Sequence, residues 1–211
     1  MGDKITVLLV DDHAIARNGV RLMLGTAPDI SVEGEAGNAV EAMARVAERS
    51  FDVALVDIKM PGKNGLDLLK TLRSECPRMA VLVLSTYSEE IYAVRALKLG
   101  ASGYLTKDAP TNTLVDAVRK AAAGGKHVSP ALIEKLATLV GGGPSGDHEE
   151  LSNRELEVFK LIAQGESLVR IGEKLHLSPN TVTTYRSRIL EKMGMTSNAE
   201  LTRYALEHGL I

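Results

Sequence analysis

The chain has 211 residues, of which 45% are hydrophobic and 25% charged, and its net charge is −2. That length allows one or two domains, and the balance is that of an ordinary globular protein rather than a uniformly basic nucleic-acid coat. No apolar run reaches the ~18 residues of a membrane span, the opening ITVLLV lacks a signal peptide's basic leader, and the single Cys76 allows neither an internal disulfide nor a cysteine metal site, so a cytoplasmic protein without a membrane role is expected.

The first half alternates two periods. Residues 5–10, ITVLLV, are β-branched and nearly continuous, as in a strand buried on both faces of a parallel sheet. A helical pattern follows over 14–24, with apolar Ile15, Val20, Leu22 and Met23; His13 starts this helix, and a metal role for it is not expected. The cycle repeats as strand 30–36 and helix 39–48, strand 51–56 and helix 66–75, strand 80–84 and helix 89–99, strand 103–106 and helix 113–123. Five strand–helix units joined by right-handed crossovers make a doubly wound (βα)5 domain.

In such a sheet the chemistry collects outside the carboxyl ends of the strands. Four of those ends carry reactive side chains: Asp11 and Asp12, Asp57, Ser85, and Lys107. A carboxylate trio repels itself unless a cation lies among the oxygens, and a hard oxygen-rich site favours Mg²⁺. Asp57 can attack phosphorus as a nucleophile. The metal and Lys107 then neutralise charge on the phosphoryl oxygens, to which Ser85 donates a hydrogen bond. Taken singly, each residue reads more simply as a cap, a turn former or a solvated lysine; the joint pattern points to a phosphate site. A dinucleotide site is excluded, because no GxGxxG follows the first strand. A D-x-D phosphatase is excluded by Lys59.

VDD at 10–12, VDIKMPGKNG at 56–65, LST at 84–86 and GASGYLTKDA at 100–109 together resemble the receiver domain of bacterial two-component response regulators. The resemblance implies a flavodoxin-like fold and phosphorylation of Asp57 by a histidine kinase. It implies direct Mg²⁺ ligation by Asp12, Asp57 and the Lys59 carbonyl, with Asp11 acting through water. It also implies that Ser85 and Tyr104 form a switch pair and that Lys107 pairs with the phosphate. Many receivers have proline after this lysine; here it is Asp108, and the isomer of the bond is left open.

Residues 121–125, AAAGG, end the fifth helix. A short amphipathic helix is expected over 129–140, then a flexible glycine-rich linker from Gly141. The domains are thus expected at 1–124 and 149–211, with 125–148 linking them.

From Leu151 the pattern is helical only. Ser152 and Glu155 form a capping box. Helices follow to Ala163, over 168–175, from Ser178 and Pro179 onward, and over 198–207. On the third of these, Val182, Ile189, Leu190 and Met193 point to a core, while Asn180, Thr183, Thr184, Ser187, Arg188 and Glu191 fall on the other side. Arg170, Lys174, Arg186, Arg188 and Lys192 gather around it. That face suits a DNA major groove, but periodicity alone fits the solvated side of a small bundle equally well.

LSNRELEVFKLIAQG, IGEKLHLSPNTV, YRSRILEKMGM and NAELTRYALEHGLI resemble a LuxR-type DNA-binding domain, and the whole chain resembles the NarL/FixJ family of response regulators. The helix-turn-helix would be Ile171–Leu190. The resemblance implies DNA contacts from Asn180, Thr181, Thr183, Thr184, Arg186, Ser187, Arg188 and Lys192, and a homodimer when phosphorylated or on DNA. It implies a transcription regulator whose only chemistry is Mg²⁺-dependent phosphorylation and dephosphorylation of its own Asp57. The alternative is a regulator that binds DNA without phosphorylation and uses its receiver only to dimerise. Thr183 stands where the family has lysine and Tyr185 where histidine is common, which leaves the base preference open. Gly172 within a helix implies a close helix crossing.

Overall fold

The protein is described from a computed structural model, which covers residues 4–60, 64–86, 89–130, 132–134 and 147–211. It forms two compact units, Met1–Ala137 and Thr138–Ile211. The expected linker glycines at 141–143, and residues 135–140 of the expected short helix, lie outside the described residues.

The first unit is a five-stranded parallel sheet in the order β2-β1-β3-β4-β5. Its strands are β1 Ile5–Val10, β2 Ile30–Ala36, β3 Val53–Asp57, β4 Ala80–Ser85 and β5 Gly103–Thr106. Between and after them run α1 Ala14–Leu24, α2 Ala39–Glu48, α3 Gly65–Glu75, α4 Glu89–Lys98 and α5 Thr111–Ala122. Alternate strand residues face opposite ways. Val7, Leu9, Val53, Leu55, Leu82, Leu84 and Leu105 meet Leu24 of α1 and Leu114, Val118 and Ala121 of α5. The helices α2, α3 and α4 adjoin one another in sequence order and belong to the opposite layer. Burial on both sides explains why the central strands lack polar alternation.

Several expectations need correction. Ile15 and Leu22 are 88% and 70% exposed, because the buried stripe of α1 runs through Val20, Met23 and Leu24 instead. The third strand starts at Val53 and not at Phe51, although Phe51 is buried. Before it, the Asp52 carboxylate accepts from the Thr6 amide at 2.8 Å and the Thr6 hydroxyl at 2.7 Å, a side-chain clamp just outside the β1–β3 pairing. Within the expected linker, His127 bridges to Gly103, its amide donating to the Ser102 carbonyl at 2.7 Å. No cis peptide bond occurs among the described residues.

Glycine is required where α3 begins. A Cβ on Gly65 would lie 1.9 Å from the Asp57 carbonyl oxygen. The Gly65 amide donates to the Ile58 carbonyl at 2.8 Å, drawing the helix start under the end of β3. Asn64 is buried and caps this helix, its side chain accepting from the Asp67 amide.

The second unit holds a 3-10 turn, Asp147–Glu150, then α6 Asn153–Ala163, α7 Leu168–Leu175, α8 Pro179–Lys192 and α9 Asn198–Glu207. Serine caps each of these four α-helices of the described residues: Ser152, Ser167, Ser178 and Ser197 each accept from the amide three residues on. The expected capping box is present. His176 takes the left-handed conformation that turns α7 toward α8. The backbone comes so close here that a Cβ on Gly172 would lie 2.7 Å from the Leu177 carbonyl oxygen. Leu156, Phe159, Ile171, Val182, Ile189, Leu201 and Ala205 are fully buried. Leu190, expected in that core, is only half-buried.

Glu155 is buried, and two donors hold it: the Ser152 amide and the Lys192 ammonium, each at 2.7 Å. Burial pushes its carboxyl up, yet Lys192 and Ser152 outweigh that and leave it below the usual glutamate range.

Two outcomes follow from these contacts. Gly65→Ala should cost the first unit about 1–3 kcal/mol by overpacking, read as an earlier urea transition. The lowered Glu155 carboxyl contributes stability that is present above its unfolded value, roughly 4.3, and is lost as pH falls through its lower folded value. Lys192→Met should therefore start acid unfolding of the second unit at a higher pH, and cost about 1–2 kcal/mol at neutral pH given the partial exposure of the pair. Hydrogen exchange of the α6 and α8 amides measures both effects.

Candidate functional site

The strand order places β1 and β3 side by side at the point where the chain direction of winding reverses, and ligands collect at that point in open sheets. Asp11 and Asp12 leave β1, Asp57 ends β3, Ser85 ends β4, and Lys107 follows β5. The structure brings these ends together. Lys107 Nζ donates to Asp11 Oδ2 at 2.6 Å and to Asp57 Oδ2 at 2.8 Å. The Lys107 amide donates to the Ser85 carbonyl at 2.8 Å, fixing the lysine's starting point on β4.

Asp11, Asp57 and Ser85 are buried, while Asp12 and Lys59 are exposed. Burial pushes the Asp57 carboxyl above its usual range; Lys107 pulls the other way without cancelling it. Burial also acts to lower the Lys107 ammonium, but its two carboxylate partners prevail and its pKa is raised. The lysine is therefore charged at neutral pH, and the pocket already contains one compensating cation. Tyr104 is buried, with its ring turned into the protein.

One ligand atom from each of Asp11, Asp12, Asp57 and His13 lies within 4.8 Å of the others, a group able to hold a metal ion. His13 does start α1 as expected, without a side-chain cap bond. It also reaches back, with Nδ1 2.9 Å from Asp12 Oδ1, a placement the residue pattern did not show.

Sequence reasoning missed Arg17. Its guanidinium donates to the backbone carbonyl of Asp11 and to Glu35 Oε2 at 3.3 Å. It thus holds the acidic loop from behind. The available signal was a cation six residues beyond Asp11, on the half-buried side of α1. Asn64 and Gly65 set α3 beneath Asp57, and their residue types signal only a turn into a helix.

In the second unit, Asn180, Thr183, Thr184, Ser187, Arg188 and Glu191 are exposed along α8, opposite buried Val182, Ile189 and Met193. Thr181 and Arg186 are half-buried. Arg186 Nε donates to Asn198 Oδ1 at 2.6 Å, tying α8 to α9. Lys192, which is exposed, gives its ammonium to Glu155. Among the described residues no helix is long and apolar enough to cross a membrane.

Comparison with known proteins agrees with both halves. Residues 7–119 match the response regulator receiver domain, and residues 149–205 match the bacterial regulatory proteins of the luxR family. The response regulator GacA of Pseudomonas protegens is 37% identical over 98% of this chain and 98% of that protein. The transcriptional regulatory protein UhpA of Escherichia coli is 38% identical over 94% and 96% respectively. Among solved structures, the response regulator ChrA of a haem-sensing two-component system is 33% identical, with all of each chain covered and a TM-score of 0.55. RcsB from Salmonella enterica serovar Typhimurium, bound to promoter rprA in the presence of the phosphomimetic BeF3−, is 25% identical over 96% of this chain and 98% of that one, with a TM-score of 0.63. A receiver domain implies a kinase partner, and an acidic pocket at the strand ends is where a receiver is phosphorylated. The chain belongs to the two-component response regulators that join a receiver domain to a LuxR-type DNA-binding domain, and it is a transcription regulator rather than a conventional enzyme.

Proposed function

We propose that Asp57 accepts a phosphoryl group from a sensor histidine kinase and that this event controls DNA binding by α8. The single observation that carries the reading is the buried Asp57 carboxylate held 2.8 Å from the Lys107 ammonium at the strand switch point. In the transfer, an Asp57 oxygen forms a bond to phosphorus as the P–N bond to the donor's histidine breaks. The donor imidazole keeps the electron pair and takes up a proton.

The pocket fits a hard cation. Asp11 and Asp57 are buried acids that already share one ammonium. Once an Asp57 oxygen carries the phosphoryl group, Lys107 is the residue placed to turn from carboxylate to phosphate. Mg²⁺ would be held by Asp12, Asp57 and the Lys59 carbonyl, with Asp11 through water, and would offset charge on the phosphoryl oxygens. Arg17 keeps Asp11 in position from behind. Ser85 donates to a phosphoryl oxygen, and the buried Tyr104 ring responds to that movement. Together they convert a local charge change into a change of surface.

Output rests on α8 in a major groove. Thr183, Thr184 and Ser187 meet base edges, Asn180 and Thr181 lie at the helix start, and Arg188 meets phosphate. Arg186 braces α8 against α9, and Lys192 braces it against α6. The phosphorylated protein acts as a homodimer on paired half-sites, in the cytoplasm where the chromosome is. The two halves work as domains 1–124 and 149–211 joined by 125–148, the first of them extended at its end by the His127 bridge. The acidic trio with its lysine favours phosphorylation control over a receiver used only for dimerisation.

Incubation with a phosphoramidate and Mg²⁺ should add one phosphoryl mass to the intact chain; Asp57→Ala or EDTA should abolish it. Lys107→Ala should still take the label yet lose the gain in DNA affinity. Arg188→Ala should weaken specific and random duplexes alike and reduce the salt slope by about one. Label that persists in Asp57→Ala would place the acceptor elsewhere.

A further inference from the structure

The exposed face of α8 has a particular hydrogen-bonding character. Thr183 Oγ1 donates to the Pro179 carbonyl and Thr184 Oγ1 to the Asn180 carbonyl, both at 3.0 Å. Ser187 Oγ donates to the Thr183 carbonyl at 3.2 Å. A hydroxyl has one proton, and each of these three is used inside the helix. What remains outward is lone pairs and the two threonine methyls. Glu191, on the same face, is acceptor-only. The exception is Asn180: its amide has no intramolecular hydrogen bond among the described residues and offers a donor beside an acceptor.

Two of the three cations on α8 are engaged elsewhere. Arg186 is turned to Asn198 and Lys192 to Glu155. Arg188 is exposed on the same face and is the residue assigned to phosphate in the proposed function. With Arg188 on phosphate, the face presents no guanidinium or ammonium to the O6 and N7 acceptors of guanine.

We propose that the reading face of α8 selects A·T pairs, through thymine methyls and the adenine edge, and rejects G·C. This rests on the placement of α8 in the major groove. Thymine C5-methyls pack on the methyls of Thr183 and Thr184. The Asn180 amide matches the N6 donor and N7 acceptor of adenine. Cytosine N4 would meet the acceptors, but its guanine partner brings two more acceptors against lone pairs, with no donor to satisfy them.

The test uses the full-length phosphorylated chain. Duplexes are selected from a random pool, and the retained site is then titrated with single thymine→uracil changes, which delete only the methyl. The selected core should be A·T, and uracil at the positions under α8 should weaken binding about fourfold, the worth of one buried methylene. Thr184→Ser, which keeps the hydroxyl and its carbonyl bond, should remove the penalty at one such position. Asn180→Ala should lose discrimination at one adenine, with the helix content unchanged by circular dichroism. A selected core of G·C pairs, or indifference to uracil throughout a specific site, overturns the proposal while leaving α8 as the reading helix. Retention of all duplexes alike overturns the groove placement itself, and this proposal with it.

Discussion

The receiver unit depends on one buried ion triad: the Lys107 ammonium between the carboxylates of Asp11 and Asp57. Two acids at adjacent strand ends are costly to bury, and a single ammonium offsets part of that cost only if it is placed well. Everything around the pocket bears on that placement. The Lys107 amide is held by the Ser85 carbonyl, Asp11 by Arg17 from behind, and Asp57 by the tight entry of α3 at Gly65. Asp11, Asp12 and Asp57 together outnumber the one ammonium, so the pocket keeps a negative charge consistent with a metal site.

The second unit repeats the device on a smaller scale. Glu155 sits in the first turn of α6, closes the capping box with Ser152, and pairs with Lys192 at the far end of α8. A local helix-start signal is thereby made part of the tertiary structure. Arg154, its neighbour, donates to the Leu175 carbonyl at the end of α7. Two adjacent residues of α6 thus hold the ends of both helices of the helix-turn-helix, and the serine caps start each helix at a defined residue.

Much of this was legible in the residues. Strands buried on both faces carry a continuous apolar signal, and the acids, hydroxyl and lysine at their ends differ sharply in type from what precedes them. The helix starts were legible because serine caps are local. What the pattern could not show was choice among surfaces. Ile15 and Leu22 read as core by hydropathy, yet they lie on the far side of α1 from Leu24. The pairing of Lys192 was not legible because its partner, Glu155, is 37 residues away in sequence. Arg17 was missed for a related reason: its main contact is a backbone carbonyl, which no residue type announces. The bridge at His127 is likewise a backbone event beyond the last periodic helix.

The inward turn of the cations on α8 has a kinetic consequence. Sequence-independent affinity for DNA comes from counterions released by free lysine and arginine. Here Lys192 is paired with Glu155 inside the unit, and the last 63 residues hold 8 basic against 9 acidic side chains. With so even a balance of charge, the sequence-independent hold of this unit on a duplex is expected to be weak at physiological salt. A regulator of that kind would spend little time on random chromosome, and occupancy of its target would follow the phosphorylated fraction rather than a slow drain from non-specific DNA.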